Sequence, residues 1–147
     1  GFYGYANITA EIQEVFAAYY DMFPPYEGVA LLEAMAKRTF YARAWSAFLE
    51  EYPLVLTPFL PTPFFAPNRD AEGLAGAREA LGRAHWSFAM NFLGLPAGNV
   101  PALFDGRQPF GVQIVGQRFR EDLILEACAA VEARAGSMAE RLWAREG

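Results

Sequence analysis

The sequence has 147 residues, 54% of them apolar and 16% aromatic against 20% charged, and its formal net charge is −5. That size and apolar content exclude a disordered chain and fit one domain able to bury a core. Lysine and arginine are scattered singly, so no basic stripe exists to neutralise a phosphate backbone, and nucleic acid is not an expected partner.

From Thr9 to about Phe23, apolar residues recur at helical spacing (Ile12, Val15, Phe16, Tyr19, Tyr20, Phe23) until Pro24 and Pro25, which predicts a helix. A longer helix is predicted from about Glu27 to Tyr52. Its stripe is Val29, Leu32, Met35, Ala36, Phe40, Ala44, Phe48 and Leu49, thickened by Tyr41 and Trp45, and Pro53 stops it. "LVLTP" at 54–58 reads as a buried strand that delivers its end into a loop. That loop, "PFLPTPFFAPNRD", has four prolines that cannot donate hydrogen bonds and should run extended over other structure. Tyr52, Phe59, Phe64 and Phe65 give it aromatic bulk that must pack on something.

Residues 70 to about 92 favour a further helix with Asp70 as its N-cap. "NVPALF" and "FGVQIVG" flank "DGRQP", which predicts an antiparallel hairpin whose second strand is mostly buried. Glu121 and Asp122 open the next helix, where the helix dipole favours acids, and Gly136 ends it; a short helix at "SMAERLWAREG" follows.

The longest uncharged run, residues 52–68, contains five prolines and is shorter than the roughly 20 residues of a membrane helix, so no span is expected. A lone Cys128 allows no internal disulfide, and with no signal peptide read at the start, the cytoplasm is the expected location. Cys128 sits among alanines as a small hydrophobe. One His and one Cys more than forty residues apart make no metal cluster. "GLAG" at 73–76 lacks the spacing of a phosphate loop. Ser87 and His85 are two apart on a predicted helix and point to different sides, so they form no nucleophile and base pair. His85 with Trp86 reads as interfacial packing, and Lys37 as the partner of Glu33 in a solvated ion pair.

"NFLGLPAGNVP" at 91–101 packs two glycines and two prolines into eleven residues between a helix and a strand. Asn91, Gly94, Pro96, Ala97, Val100 and Pro101, followed by Pro109, Gly111, Gln113, Gly116 and Asp122, form an ordered set. With the order of elements around it, this set resembles the C-terminal third of the amidase signature family of amide hydrolases, and nearly all the chain takes part. The resemblance implies an α/β fold, with a mixed sheet of about three strands here, including a hairpin, covered by helices. It makes residues 1–147 a single domain belonging to a larger protein.

The same resemblance implies an acyl-serine mechanism in the complete enzyme, without metal or organic cofactor. There a serine is activated through a second serine by a lysine, and a Gly/Ser-rich loop holds the oxyanion. Those groups belong to the family's N-terminal half. Here the serines are Ser46, Ser87 and Ser137, the one lysine is Lys37, and no Gly/Ser-rich run exists, so the chain alone is expected to be inert. Its expected partners are that missing half and a small-molecule amide. No catalytic residue is assigned.

In the resembling family the end of the strand at 54–58 and its following loop approach the acyl side of the active site, which makes Thr57, Pro58, Thr62 and Phe64 the pocket candidates. Sealing a flank of the domain is the alternative role of those aromatics. Gly94, Pro96 and Pro101 are expected to act structurally, turning a helix sharply into a strand. A stand-alone binding or scaffold subunit from the same fold is the rival to the hydrolase reading; its sheet edges would then be covered either by a homodimer or by its own helices.

Overall fold

Prolines punctuate residues 1–58, and the computed structural model, which describes residues 9–62 and 66–144, shows them ending elements. Helix α1 (Ala10–Met22) stops just before Pro24–Pro25, α2 (Gly28–Glu51) just before Pro53, and β1 (Leu54–Pro58) on a proline. After a 3-10 turn (Arg69–Ala71) come α3 (Gly73–Arg83), α4 (His85–Leu93), β2 (Ala97–Phe104), β3 (Pro109–Gly116), α5 (Glu121–Ala135) and α6 (Met138–Trp143).

The predicted helix over 70–92 is two helices. At Ala84 (φ −99°, ψ 9°) the chain turns, the amide there donating to both Ala80 and Leu81 carbonyls, 3.1 Å each. No proline marks the break. It lets α3 pack against α1 through Ala18, Ala77 and Ala80 while α4 packs against α2. Asp70 does not cap α3: the left-handed Asn68 (φ 61°) starts the turn earlier, Asp70 lies inside that turn, and Glu72 precedes the helix.

Strand order is β1-β3-β2, and both pairings are antiparallel. The α/β class expected from the sequence holds, although the strands described here contain no parallel pair. The predicted hairpin is β2–β3, and β3, the central strand, is buried over its last four residues. Proline is tolerated on the two edge strands because an edge leaves some amides unpaired, and at Pro101 the β2–β3 register shifts.

Helices cover both faces of the sheet. On one, Val100 and Ile114 pack under Ile124 of α5, with Ala127, Cys128 and Val131 around them. Burial of the Cys128 thiol, and secondarily Glu132, push its pKa up. On the other face, Val115 meets Leu49 of α2, Met90 and Leu93 of α4, and Leu95.

The long stripe predicted for α2 is covered only near its end. Ala42 and Leu49 are buried, whereas Val29, Leu32, Met35 and Phe40 are each at least 60% exposed. The sheet and α4 reach only the C-terminal half of α2, and Tyr41, Ala44, Trp45 and Phe48 border a shallow apolar hollow on it. No Glu33–Lys37 ion pair forms.

The turn out of α4 explains the crowded glycines and prolines of residues 91–101. Gly94 adopts the left-handed conformation (φ 68°, ψ 38°), its amide donates to Asn91 O at 3.2 Å, and the Leu95 amide donates to Met90 O at 3.1 Å. The remaining carbonyls of the helix end are taken by arginines: Arg38 donates to Phe92 O, and Arg118 to Leu93 O and Gly94 O. Pro96 O then accepts from Gly116 N at 3.2 Å, where the strand pairing begins. Replacing Gly94 by alanine is expected to cost about 1–2 kcal/mol, because a side chain is strained at that φ. A urea unfolding midpoint indistinguishable from that of the unchanged protein would show the turn to be relaxed.

Candidate functional site

Strand register sets the site. Thr57 lies opposite Gln113, and Gln113 opposite Asn99, so three polar residues form one row across β1, β3 and β2. The row two residues nearer the core, on the same face, is Val55–Val115–Ala97. The sheet thus changes from apolar to polar within one step along its strands, at the margin of the cluster formed with α2 and α4.

Thr57 and Gln113 are buried, at 5% and 3% exposure, and Gln113 Nε2 donates to Thr57 Oγ1 at 3.1 Å. Two polar side chains can be buried here because they bond each other. Asn99 lies over Gly111: a Cβ there would come within 2.5 Å of Asn99 Oδ1. Gly111 is therefore the residue that lets Asn99 lie against the sheet.

Two concavities meet along this row. One, of about 190 Å³, lies between α4 and the sheet and is lined by Ser87, Met90, Asn91, Leu95, Asn99, Gln113 and Phe59, among others. The other, of about 160 Å³, lies under the loop after β1, between Phe59, Leu60 and Thr62 on one side and Asn99, Pro101, Pro109, Phe110 and Gly111 on the other. Phe59 and Asn99 line both. The result is a groove with a polar end and an end walled by phenylalanine and proline.

The four pocket residues predicted from sequence divide. Thr62 lines the apolar end. Thr57 does not line either hollow but fixes the residue that does, Gln113. Pro58 is exposed at the end of β1, and Phe64 lies outside the described residues. Asn99, Phe110 and Ser87 are lining residues that the sequence reading does not place in the pocket. For Asn99 the signal lies in the hairpin: pairing "NVP" with "FGVQ" puts it beside Gln113. Of the motif residues, Asn91 lines the polar end and bonds Ser87 O at 2.9 Å, while Asp122 pairs with Arg120 at 3.0 Å, away from the groove.

Among the described residues, no side chain lining the groove is ionisable. Such a surface binds by shape and hydrogen bonding; it has no group to take or give a proton near neutral pH. His85 lies outside it, its Nδ1 3.0 Å from Gly82 O. Among the described residues no group of three His, Cys, Asp or Glu side chains is placed to hold a metal ion. No described helix is long and apolar enough to cross a membrane.

Residues 15–125, which span most of α1, all of α2 and the sheet, and the start of α5, match the family described as Amidase. An indoleacetamide hydrolase from Bradyrhizobium japonicum is 43% identical over 115 residues, which make up 78% of this chain and 25% of that protein. A glutamyl-tRNA(Gln) amidotransferase subunit from Carboxydothermus hydrogenoformans is 31% identical over 116 residues, 79% of this chain and 22% of that one. Among solved structures, 6-aminohexanoate cyclic dimer hydrolase complexed with substrate superposes with a TM-score of 0.62 at 26% identity, covering 77% of this chain and 26% of the other. The chain therefore spans about a quarter of the length of the relatives it matches.

Proposed function

The chain belongs to the amidase family, and from that premise we propose that it is the part of an amide hydrolase that supplies one wall of the substrate pocket. The single observation that carries this reading is the groove of Phe59, Asn99 and Gln113, a built binding surface with no ionisable group among its described lining residues. The chemistry then comes from elsewhere in the complete protein. In the mechanism implied by the resemblance, a serine attacks the amide carbonyl, the amine or ammonia leaves, and water releases the acyl group. This chain holds the acyl group and excludes water from it.

The groove favours an apolar or aromatic acyl group. Phe59, Phe110, Pro101 and Pro109 offer rigid contact area, and none of the described lining residues carries a charge to pair with one on the substrate. The 43% identity to a protein named for indoleacetamide points the same way. Similarity to an amidotransferase supports a rival, transfer of ammonia from glutamine, but a zwitterionic amino acid would find no counter-charge among the described residues of this groove.

Ammonia release by the full-length protein tests the choice. Indole-3-acetamide and phenylacetamide are expected to be turned over at least tenfold more efficiently than glutamine, and the 147-residue chain alone to release no ammonia. Hydrolysis of glutamine in preference to the aryl amides would overturn the substrate assignment; release by the isolated chain would overturn the division of labour.

A further inference from the structure

The polar row gives the groove a more definite preference than its apolar walls do. Gln113 is 3% exposed, and its Nε2 is committed to Thr57 Oγ1. No other described residue donates a hydrogen bond to its Oε1. Gln113 itself lines the hollow between α4 and the sheet. A carboxamide whose nitrogen is tethered presents its oxygen in a fixed direction, as an acceptor.

We propose that Gln113 Oε1, aimed by Thr57 and flanked by Asn99, is a hydrogen-bond subsite for a donor on the apolar acyl portion of the substrate, such as a ring N–H. This rests on the reading of the groove as a substrate wall and deepens it by naming the substrate class: amides of aryl or heteroaryl acids whose ring carries an N–H or O–H. Geometry supplies three supports. The row lies where the apolar and polar ends meet, and Phe59 and Gln113 line the same hollow. Thr57, inside β1, ties the acceptor to the sheet and not to a loop. Gly111, lacking a side chain, leaves Asn99 seated low enough to form the floor between the two hollows.

A buried acceptor left without its donor keeps the whole cost of its desolvation, so the groove discriminates against a ring of the same shape without N–H. The full-length protein is expected to prefer indole-3-acetamide over the benzothiophene analogue, in which sulfur replaces the ring N–H, by roughly tenfold to a hundredfold in kcat/KM. In Gln113→Met, a substitution of similar volume, the ratio collapses toward one. Thr57→Val frees the carboxamide and lowers the ratio severalfold; because it preserves shape, it tests the same point should Gln113→Met fold poorly. Equal losses on both substrates, with the ratio unmoved, would reduce the row to structural packing and overturn the proposal.

Calorimetric dissociation constants for the two corresponding acids separate this inference from the hydrolase reading. If no amide is cleaved but the indole acid binds at least tenfold tighter than its sulfur analogue, and Gln113→Met abolishes the difference, the subsite stands and the hydrolase reading falls. If amides are cleaved while the two acids bind equally, the subsite falls and the hydrolase reading stands.

Discussion

Truncating Leu49 to alanine is expected to lower the unfolding free energy by about 2–5 kcal/mol. Leu49 is 1% exposed and is the point at which α2 reaches the sheet, packed with Met90, Leu93, Leu95 and Val115 and bordered by Trp45 and Val55. Removing its outer carbons withdraws apolar surface from several elements at once and leaves a void that rigid neighbours on a strand and a helix end cannot close. Urea unfolding followed by far-ultraviolet circular dichroism would read this as a lower midpoint at an unchanged slope. Leu32→Ala, in the same helix but at a position 68% exposed, is the control and should move stability by no more than about 0.5 kcal/mol. Similar effects at the two positions would mean that α2 is not fastened where the structure fastens it.

Gly98→Val tests the opposite fault, too much volume. A Cβ at Gly98 would lie 2.7 Å from both Cys128 Sγ and Ile124 Cγ2, so even the first added carbon drives α5 away from β2. The two added methyl groups worsen the collision, and β-branching denies the side chain a rotamer that avoids it. Overpacking of this kind costs about 1–3 kcal/mol. Because the obstruction is partly the thiol, Cys128→Ala in the same chain should recover some of the loss, a coupling that a double-mutant cycle measures. Additive losses would place the conflict elsewhere.

How far the fold was legible follows from which signals are local. Proline is the strongest: Pro24, Pro53 and Pro58 announced the ends of α1, α2 and β1 to within a residue or so. Asp105 and Gly106 announced the hairpin, and Asp105 Oδ1 indeed accepts from the amides of Arg107 and Gln108 at 2.8 Å each. The break at Ala84 was not legible, because nothing at that residue forbids a helix; it exists to let α3 and α4 answer to different partners. Burial along α2 was not legible either, since periodicity marks a face that wants covering and says nothing of what covers it. In the site, Thr57 and Gln113 each stood out, one as a strand end and one as part of a motif. Their pairing across 56 positions could only be read once β1 was known to add to the far side of β3.

That placement of β1 has a kinetic consequence. The β2–β3 hairpin closes a short turn and can form early, in microseconds. Pairing β1 with β3 instead encloses everything from the end of β1 to the start of β3, including α3, α4 and β2. The chain entropy of so long a loop must be surrendered before a single contact of that pairing is gained. Leu54–Pro58 is therefore the last strand to dock and the first to leave, and its amides should lose protection against hydrogen exchange ahead of those in β3. Since Thr57 travels with it, transient opening of that edge releases the tether on Gln113 while the hairpin beneath stays intact, and the groove loses its selectivity before the domain loses its fold.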